Sequence, residues 1–312
     1  MSEFPEAGPE PTPKDSPPVA IYVAVPSDPA PIVVTSADLP PEPAPRRVPN
    51  IGHAVLFVAT AAAFLFAYEL IIFMVWGPPA AVHGGVTTIV HPKLQLLAEA
   101  VTYLATLVLA WFLFPLFWHR PFSEGIRWHW STARNQATRL IPLGLTLGIL
   151  SAVVDYFVTT TKPPPIEDFF VTASDAWILT FFGILVAPAF EEICFRGFLL
   201  PAFAIAWDWL RLPRTDDARR YWTTTTSLSP TAYIVSAVVT SLLFAGLHAQ
   251  QVAYTWSAMI VLFSVSLVLT FVRVKTQSVA ASTLVHASYN SFIFLITILQ
   301  TSGYRHLDRM TK

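Results

Sequence analysis

Charged side chains interrupt a long apolar stretch of the sequence at residues 191–196, which read Glu-Glu-Ile-Cys-Phe-Arg. Apolar runs flank this motif on both sides. An ionised group inside a membrane costs about 2.5 to 3.5 kcal/mol even on lenient insertion scales, so such a cluster indicates a functional site. Glu192 and Arg196 are four residues apart and can pair on one helix face. Glu191 points about 100° away from that face and has no evident partner, so we consider it the candidate for chemistry.

Two further polar motifs follow in later apolar segments. His248 comes four residues after Phe244, and His286 and Asn290 are also four residues apart. The latter spacing projects both side chains from one helix face toward a common point. Each residue alone is best explained by a hydrogen bond to a neighbouring helix. Together with Glu191, however, they offer a carboxylate, two imidazoles and an amide on three separate helices.

The order of the three motifs resembles a known protease family. Glu-Glu-x-x-x-Arg, then Phe-x-x-x-His, then His-x-x-x-Asn is similar to the CPBP family of intramembrane endopeptidases, which includes CAAX prenyl proteases and bacteriocin-processing or Abi proteins. The resemblance covers about residues 175–300. Each motif alone is weak evidence, whereas three in order are specific. The resemblance implies proteolysis by a protein with about eight helices.

The resemblance also implies a catalytic role for each of four residues. Hydrolysis of a peptide bond needs an activated water, donors for the developing oxyanion and a proton for the leaving amine. Glu191 would be the general base, and His248 would position the same water or share its proton. His286 and Asn290 would donate hydrogen bonds to the tetrahedral oxygen.

Metal dependence is left open by the sequence. Glu191, His248 and His286 could supply three ligands to a catalytic zinc with one open position. The sequence has no His-Glu-x-x-His pair on one helix, and no carboxylate is evidently directed at either histidine. We therefore favour a metal-free mechanism, with zinc as the alternative. Glu192 and Arg196 are assigned to a structural ion pair that holds the helix and the neighbouring base in place.

The composition indicates a membrane protein. Of the 312 residues, 54% are hydrophobic and only 12% are charged, which is too apolar for an ordinary soluble domain. The net charge of −1 provides no basic surface for nucleic acid, so we expect no nucleic-acid partner. A single cysteine excludes an internal disulfide framework.

Seven apolar segments are candidates for the helices that position these residues. About 20 residues are enough to cross a bilayer core. The segments are residues 51–76, 96–118, 140–158, 177–206, 232–248, 256–272 and 278–300. We therefore predict an all-α fold, a polytopic transmembrane bundle of about seven or eight helices in the cell membrane.

Two local patterns predict how these helices are shaped and packed. Gly144, Gly148 and Ala152 recur every four residues, which favours close contact with another helix. Pro188 lacks an amide hydrogen and predicts a kink just before Glu191. A kink at this point would free backbone groups beside the carboxylates.

The N-terminal residues differ in composition from the rest of the chain. Residues 1–50 contain 14 of the 27 prolines and little periodic hydrophobicity. Such a segment cannot bury enough apolar surface to offset its ordering entropy. We predict two regions: a disordered, proline-rich tail at residues 1–50 and a helical bundle at residues 51–312. The protease-like core lies within the bundle at about residues 175–300.

Lysine and arginine residues predict the orientation in the membrane. They concentrate in alternate loops, beginning with the flank before the first helix. The positive-inside rule places these loops and the N-terminal tail in the cytoplasm. Seven crossings would leave Arg305, Arg309 and Lys312 outside, against the same rule, so either this weak signal is overridden or one helix is miscounted.

The expected partners are the lipid bilayer and a peptide or lipidated protein substrate. An alternative function is that of a catalytically inactive scaffold or immunity protein with the same fold. Such a protein would tolerate Glu191→Gln. A proton-coupled transporter would show inverted repeats in its two halves, and the sequence shows no such symmetry.

Overall fold

A computed structural model describes residues 21–23, 32–34, 46–77, 92–157 and 169–310. The chain divides into two compact units, Met1–Pro45 and Arg46–Lys312. In the first unit, β1 (Ile21–Val23) pairs with β2 (Ile32–Val34) in an antiparallel arrangement. The rest of the predicted disordered tail, apart from residues 46–50, lies outside the described residues, so disorder there stays a prediction.

The second unit is a bundle of helices. They are α1 (Ile51–Trp76), α2 (Pro92–Trp118), α3 (Phe122–Gly125), α4 (Trp130–Asn135), α5 (Ala137–Phe157), α6 (Ala173–Phe181), α7 (Ala187–Glu192), α8 (Leu200–Arg211), α9 (Asp216–Thr224), α10 (Pro230–Leu247), α11 (Trp256–Thr276) and α12 (Val279–Gln300), followed by a 3₁₀ turn at Leu307–Arg309. Two π-helical segments, Phe182–Val186 and Ile193–Leu199, join α6, α7 and α8 into one continuous helix. We call Ala173–Arg211 the interrupted helix.

Seven helices in the described ranges are long and apolar enough to cross a membrane. They are α1, α2, α5, the interrupted helix, α10, α11 and α12. Each contains most of one predicted apolar segment, so the predicted multi-pass, all-α bundle is confirmed. The protein is therefore a multi-pass membrane protein, with seven such helices where the family resemblance implied about eight.

Aromatic side chains join the first two helices to the interrupted helix. Phe57 of α1 stacks on Phe198 with 4.3 Å between ring centroids, and the rings of Phe114 and Trp118 of α2 lie 4.9 and 5.8 Å from the same Phe198 ring. All four side chains are at most 1% exposed. Aromatic pairs of this kind add about 0.5 to 1.5 kcal/mol beyond the area that they bury. The N-terminal helices therefore brace the helix that carries Glu191.

Two glycines let α5 pack against the backbone of α12. A Cβ atom on Gly144 would lie 2.4 Å from the carbonyl oxygen of Val285, and one on Gly148 would lie 2.8 Å from Phe292 Cβ. Such distances are too short for any other residue without movement of α12. The predicted close contact at these two glycines is confirmed. This contact sets the position of α12, which carries His286.

An odd number of spans places the two ends of the bundle on opposite sides of the membrane. The flank before α1 is on one side, and residues 301–310 after α12 are on the other. Among the described residues the additional helix considered from the sequence is not found, and the side of the membrane on which the C-terminal arginines lie stays a prediction.

We expect Gly144→Ala to destabilise the bundle by about 1 to 3 kcal/mol, because overpacking of a tight contact costs that much. Gly246→Ala is the matched control, since a Cβ atom on Gly246 meets nothing within 4 Å. Thermal unfolding of both purified variants in detergent measures the difference. Equal midpoints for the two variants would show that the α5–α12 contact is not tight.

Candidate active site

The interrupted helix departs from α geometry on both sides of Glu191. The first π-helical segment ends at Val186, and Pro188 lies in the first turn of α7. Glu191 and Glu192 end α7, where the second π-helical segment begins. Each π turn contains an extra residue, which rotates the side chains that follow it around the helix axis. We predicted a kink before Glu191, and the structure has a π-helical segment, Phe182–Val186, at this place.

Asn290 of α12 bonds to a carbonyl group that this irregularity releases. The amide of Ala187 donates to Phe182 O across the π turn, and Pro188 has no amide hydrogen to offer to Gly183 O. Asn290 Nδ2 instead donates to Gly183 O at 2.6 Å. A buried carbonyl group requires a partner, and Asn290 supplies it. Asn290, which we predicted to be an oxyanion donor, therefore already uses one of its two amide hydrogens to bond Gly183 O.

Glu192 and Arg196 lie in contact at the centre of the bundle. Arg196 Nη1 donates to Glu192 Oε1 at 2.8 Å, and both residues are fully buried. Arg196 Nη2 donates to both the carbonyl oxygen and the hydroxyl of Ser266 on α11, at 2.9 and 2.8 Å. The Ser266 hydroxyl donates in turn to Ser241 on α10. The network thus links the interrupted helix to α10 and α11.

His286 joins the same network from α12. Its Nδ1 lies 3.0 Å from Glu192 Oε1, the oxygen that also accepts from Arg196. A carboxylate only accepts, so Nδ1 carries the hydrogen. From the sequence we saw no carboxylate directed at either histidine, and this was wrong. Glu192 is that carboxylate, and only the packing of α12 against the interrupted helix brings it to His286.

His248 lies immediately after the last residue of α10. Its Nδ1 is 2.8 Å from the carbonyl oxygen of Phe244, and its ring stacks on the Phe244 ring with 4.4 Å between centroids. The carbonyl oxygen can only accept, so the Nδ1 of this ring carries a hydrogen as well. These two contacts hold the ring so that Nε2 points into the bundle.

Glu191 meets both imidazole rings at their Nε2 atoms. Oε2 of Glu191 is 3.7 Å from His248 Nε2 and 3.9 Å from His286 Nε2. These separations are too long for direct hydrogen bonds. Oε2 is buried and has no hydrogen-bond partner among the described residues. A buried, unpartnered carboxylate oxygen is costly, and a water about 2.8 Å from each group would satisfy it.

A cavity of about 580 Å³ lies in front of these three groups. Its volume is in the range of pockets that bind small molecules or short peptide segments. Most of its wall is aliphatic or aromatic, and Asn290 lines it with Glu191 and the two histidines. The cavity also borders the start of α2, the loop after α10 and the end of α12. It therefore opens at the bundle face opposite the flank that precedes α1.

The three groups come close to the spacing of zinc ligands without reaching it. Two ligand atoms about 2.0 to 2.1 Å from one zinc in tetrahedral geometry are about 3.4 Å apart. The separations of 3.7 and 3.9 Å are longer than this. No set of three His, Cys, Asp or Glu residues in the described part of the chain is arranged to hold a metal ion. These separations do not decide between the two mechanisms, and the metal-free mechanism stays a prediction.

Two residues in the cavity wall were not assigned to the site from the sequence. Glu99 and Tyr103 of α2 both line the cavity. The Tyr103 ring stacks on Phe190, with 3.9 Å between ring centroids. A carboxylate in an apolar segment was the available signal for Glu99. Nothing in the sequence related α2 to the later motifs.

A comparison with known protein families gives a match to part of the chain. Residues 173–292 match the family model described as Type II CAAX prenyl endopeptidase Rce1-like. The match confirms the resemblance to the CPBP family and implies a protease that acts in a membrane. The matched segment contains Glu191, His248, His286 and Asn290, as well as the Glu192–Arg196 pair. Neither a curated protein nor a solved structure matches the chain.

We expect Arg196→Gln to destabilise the protein by about 3 to 5 kcal/mol, because it removes the guanidinium that pairs with the buried Glu192 carboxylate. The double variant Glu192→Gln/Arg196→Gln removes both charges and should recover much of this loss. Thermal unfolding of the purified variants tests the coupling. Additive losses in the double variant would contradict a paired role.

Proposed function

We propose, from the match of residues 173–292 to the Type II CAAX prenyl endopeptidase Rce1-like family model and from the geometry around Glu191, that this chain is an intramembrane endopeptidase of the cell membrane. It would hydrolyse a peptide bond in a membrane-associated or lipidated substrate. A prenylated C-terminal peptide is the substrate class that the family description suggests. The single observation that carries the proposal is the unpartnered Oε2 of Glu191, which faces two imidazole Nε2 atoms.

Glu191 is suited to activate a water at this position. A water between Oε2 and the Nε2 of His248 would donate one hydrogen to each, because both atoms are free to accept. As the water oxygen attacks the scissile carbonyl carbon, its proton moves to Glu191. The His248 ring is held by Phe244 and keeps the oxygen of the water directed at the substrate. The protonated Glu191 then returns the proton to the leaving amine.

His286 and Asn290 are suited to stabilise the oxyanion. Since Nδ1 of His286 is bonded to Glu192, a second hydrogen on Nε2 makes the ring a cation, and the Glu192 carboxylate is the nearby counter-charge. Asn290 has a second amide hydrogen besides the one donated to Gly183. Donors that are fixed before the reaction stabilise developing negative charge at little reorganisation cost.

The cavity matches an apolar substrate. Phe182, Phe294 and Leu262 contribute to its wall, and Leu247 both lines it and is 72% exposed on the bundle surface. An exposed leucine at the cavity rim, at the end of a spanning helix, gives a lipid-borne group an apolar route to the site. A peptide that carries a prenyl chain fits this cavity, because its lipid remains in apolar surroundings while its peptide bond reaches Glu191.

We expect Glu191→Gln to reduce cleavage at least about 100-fold, since the amide cannot accept the proton of the water. The folded state should be as stable as before or more so, because the change removes an unpartnered buried carboxylate. Glu69→Gln is the matched control, a glutamate on an exposed position of α1 outside the cavity. The assay is mass spectrometry of a farnesylated CAAX peptide incubated with the purified, reconstituted protein. Cleavage by Glu191→Gln at the native rate would favour the inactive scaffold.

We expect His286→Gln to lower kcat by about 100- to 1000-fold, as loss of one oxyanion donor does, while the metal content stays unchanged. Inductively coupled plasma mass spectrometry of the purified native protein and the variant measures the metal content. The native activity should also survive incubation with a chelator. Stoichiometric zinc that disappears in His286→Gln, together with inhibition by the chelator, would replace this mechanism with a zinc-dependent one.

A further inference from the structure

A second, smaller pocket lies at the opposite end of the bundle from the catalytic cavity. Its volume is about 90 Å³, which is enough for one small polyatomic ion. Five arginines and one glutamate contribute the charges of its wall; these residues are Arg46, Arg47, Arg120, Arg127, Arg273 and Glu124. The arginines come from the flank before α1, the loops before and after α3, and the last turn of α11. The pocket therefore has a strong excess of positive charge.

Arg273 is the residue that most requires an anion. Its side chain is only 6% exposed, and its Nε atom has no hydrogen-bond partner within the described ranges. No described carboxylate forms an ion pair with it, whereas the other deeply buried arginine, Arg196, pairs with Glu192. A buried cation without a partner is strongly unfavourable. The pocket onto which Arg273 faces is where a compensating charge would sit.

Neighbouring contacts already order three of the other arginines. Arg46 donates to the carbonyl oxygen of Phe117 at 2.9 Å. Arg47 stacks on the Trp222 ring, with its guanidinium carbon 3.7 Å from the ring centroid, and donates to the Trp222 carbonyl oxygen. Arg127 donates to the side chain of Gln277, at the turn between α11 and α12. Arg120 is half-buried and has no described partner. Guanidinium groups held in this way bind phosphate oxygens through paired hydrogen bonds with little loss of entropy.

The position of the pocket identifies the source of the anion. It lies beside the start of α1 and α10 and the end of α2 and α11, where spanning helices meet the headgroup layer. The positive-inside rule places this side in the cytoplasm, and anionic lipids are attracted to basic pockets between helices on that side. The catalytic cavity opens at the other end of the helices, so the arginine pocket is not part of the substrate path.

We propose that the arginine pocket binds the phosphate group of an anionic phospholipid headgroup, with Arg273 as its deepest contact. The phosphate would neutralise the buried guanidinium and tie the flank of α1 and the loop after α2 to α11. The flank of α1 and the loop after α2 lie outside the segment that matches the family model. The helices that they border, α1 and α2, pack against the interrupted helix. The lipid would thus stabilise the assembled bundle.

The test compares phosphatidylglycerol, phosphatidylcholine and inorganic phosphate as additives to the full-length chain purified in a neutral detergent. The readouts are the thermal midpoint and the number of lipids retained in native mass spectrometry. The variants are Arg273→Gln and Arg120→Gln. Arg139→Gln is the control, since Arg139 is an exposed arginine outside the pocket.

Phosphatidylglycerol should raise the midpoint of the native chain and of Arg139→Gln by several degrees and remain bound to both. Phosphatidylcholine should do neither. Arg273→Gln should lose the rise in midpoint that phosphatidylglycerol causes, and its lipid-free midpoint should stay unchanged because the variant removes an unpaired charge. Arg120→Gln should show a smaller rise than the native chain. It provides the comparison if Arg273→Gln does not fold. Equal shifts in the native chain and both pocket variants would overturn the proposal. A full shift with inorganic phosphate alone would overturn the assignment to lipid.

Discussion

One carboxylate oxygen connects the helices that form the candidate site. Oε1 of Glu192 accepts hydrogen bonds from both Arg196 and His286, and Arg196 extends the network to Ser266 and Ser241. These groups are almost completely removed from solvent, so the cost of desolvation is recovered only if every helix is in place. The same contacts orient one imidazole ring toward Glu191. The site and the centre of the fold are therefore held by one interaction network.

The irregular backbone around Glu191 is compensated by the helix that faces it. Pro188 and the π turn leave the carbonyl group of Gly183 without an amide donor, and Asn290 supplies the missing hydrogen bond. Asn290 thus has a structural contact as well as its proposed catalytic one. This arrangement explains how a π-helical turn persists in a membrane, where water is not available to satisfy a free carbonyl group.

Two buried arginines show how the bundle accommodates positive charge. Arg196 has a carboxylate and a serine as partners, and that carboxylate, Glu192, also contacts His286 in the wall of the larger cavity. Arg273 is almost as buried but faces a pocket whose charged wall is mostly arginine. Burial of either guanidinium carries the same desolvation cost. The protein provides a counter-charge for Arg196, whereas the counter-charge for Arg273 has to come from outside the chain. Arg196 thus has its counter-charge within the chain, whereas the counter-charge that we propose for Arg273 makes the bundle sensitive to its lipid surroundings.

Sequence alone determined the spans, because the length and hydrophobicity of a membrane helix are local properties. It also singled out Glu191, His248, His286 and Asn290, since each interrupts or ends an apolar segment where a polar side chain is expensive. Only the tertiary structure decided that Glu192 contacts His286 and that Glu99 lines the cavity. Glu192 and His286 are 94 residues apart along the chain. Glu99 lies on α2, whereas the other polar groups of the cavity lie on helices in the second half of the chain. These contacts depend on helix rotation and depth, which are set by packing between helices and not by the local pattern of residues.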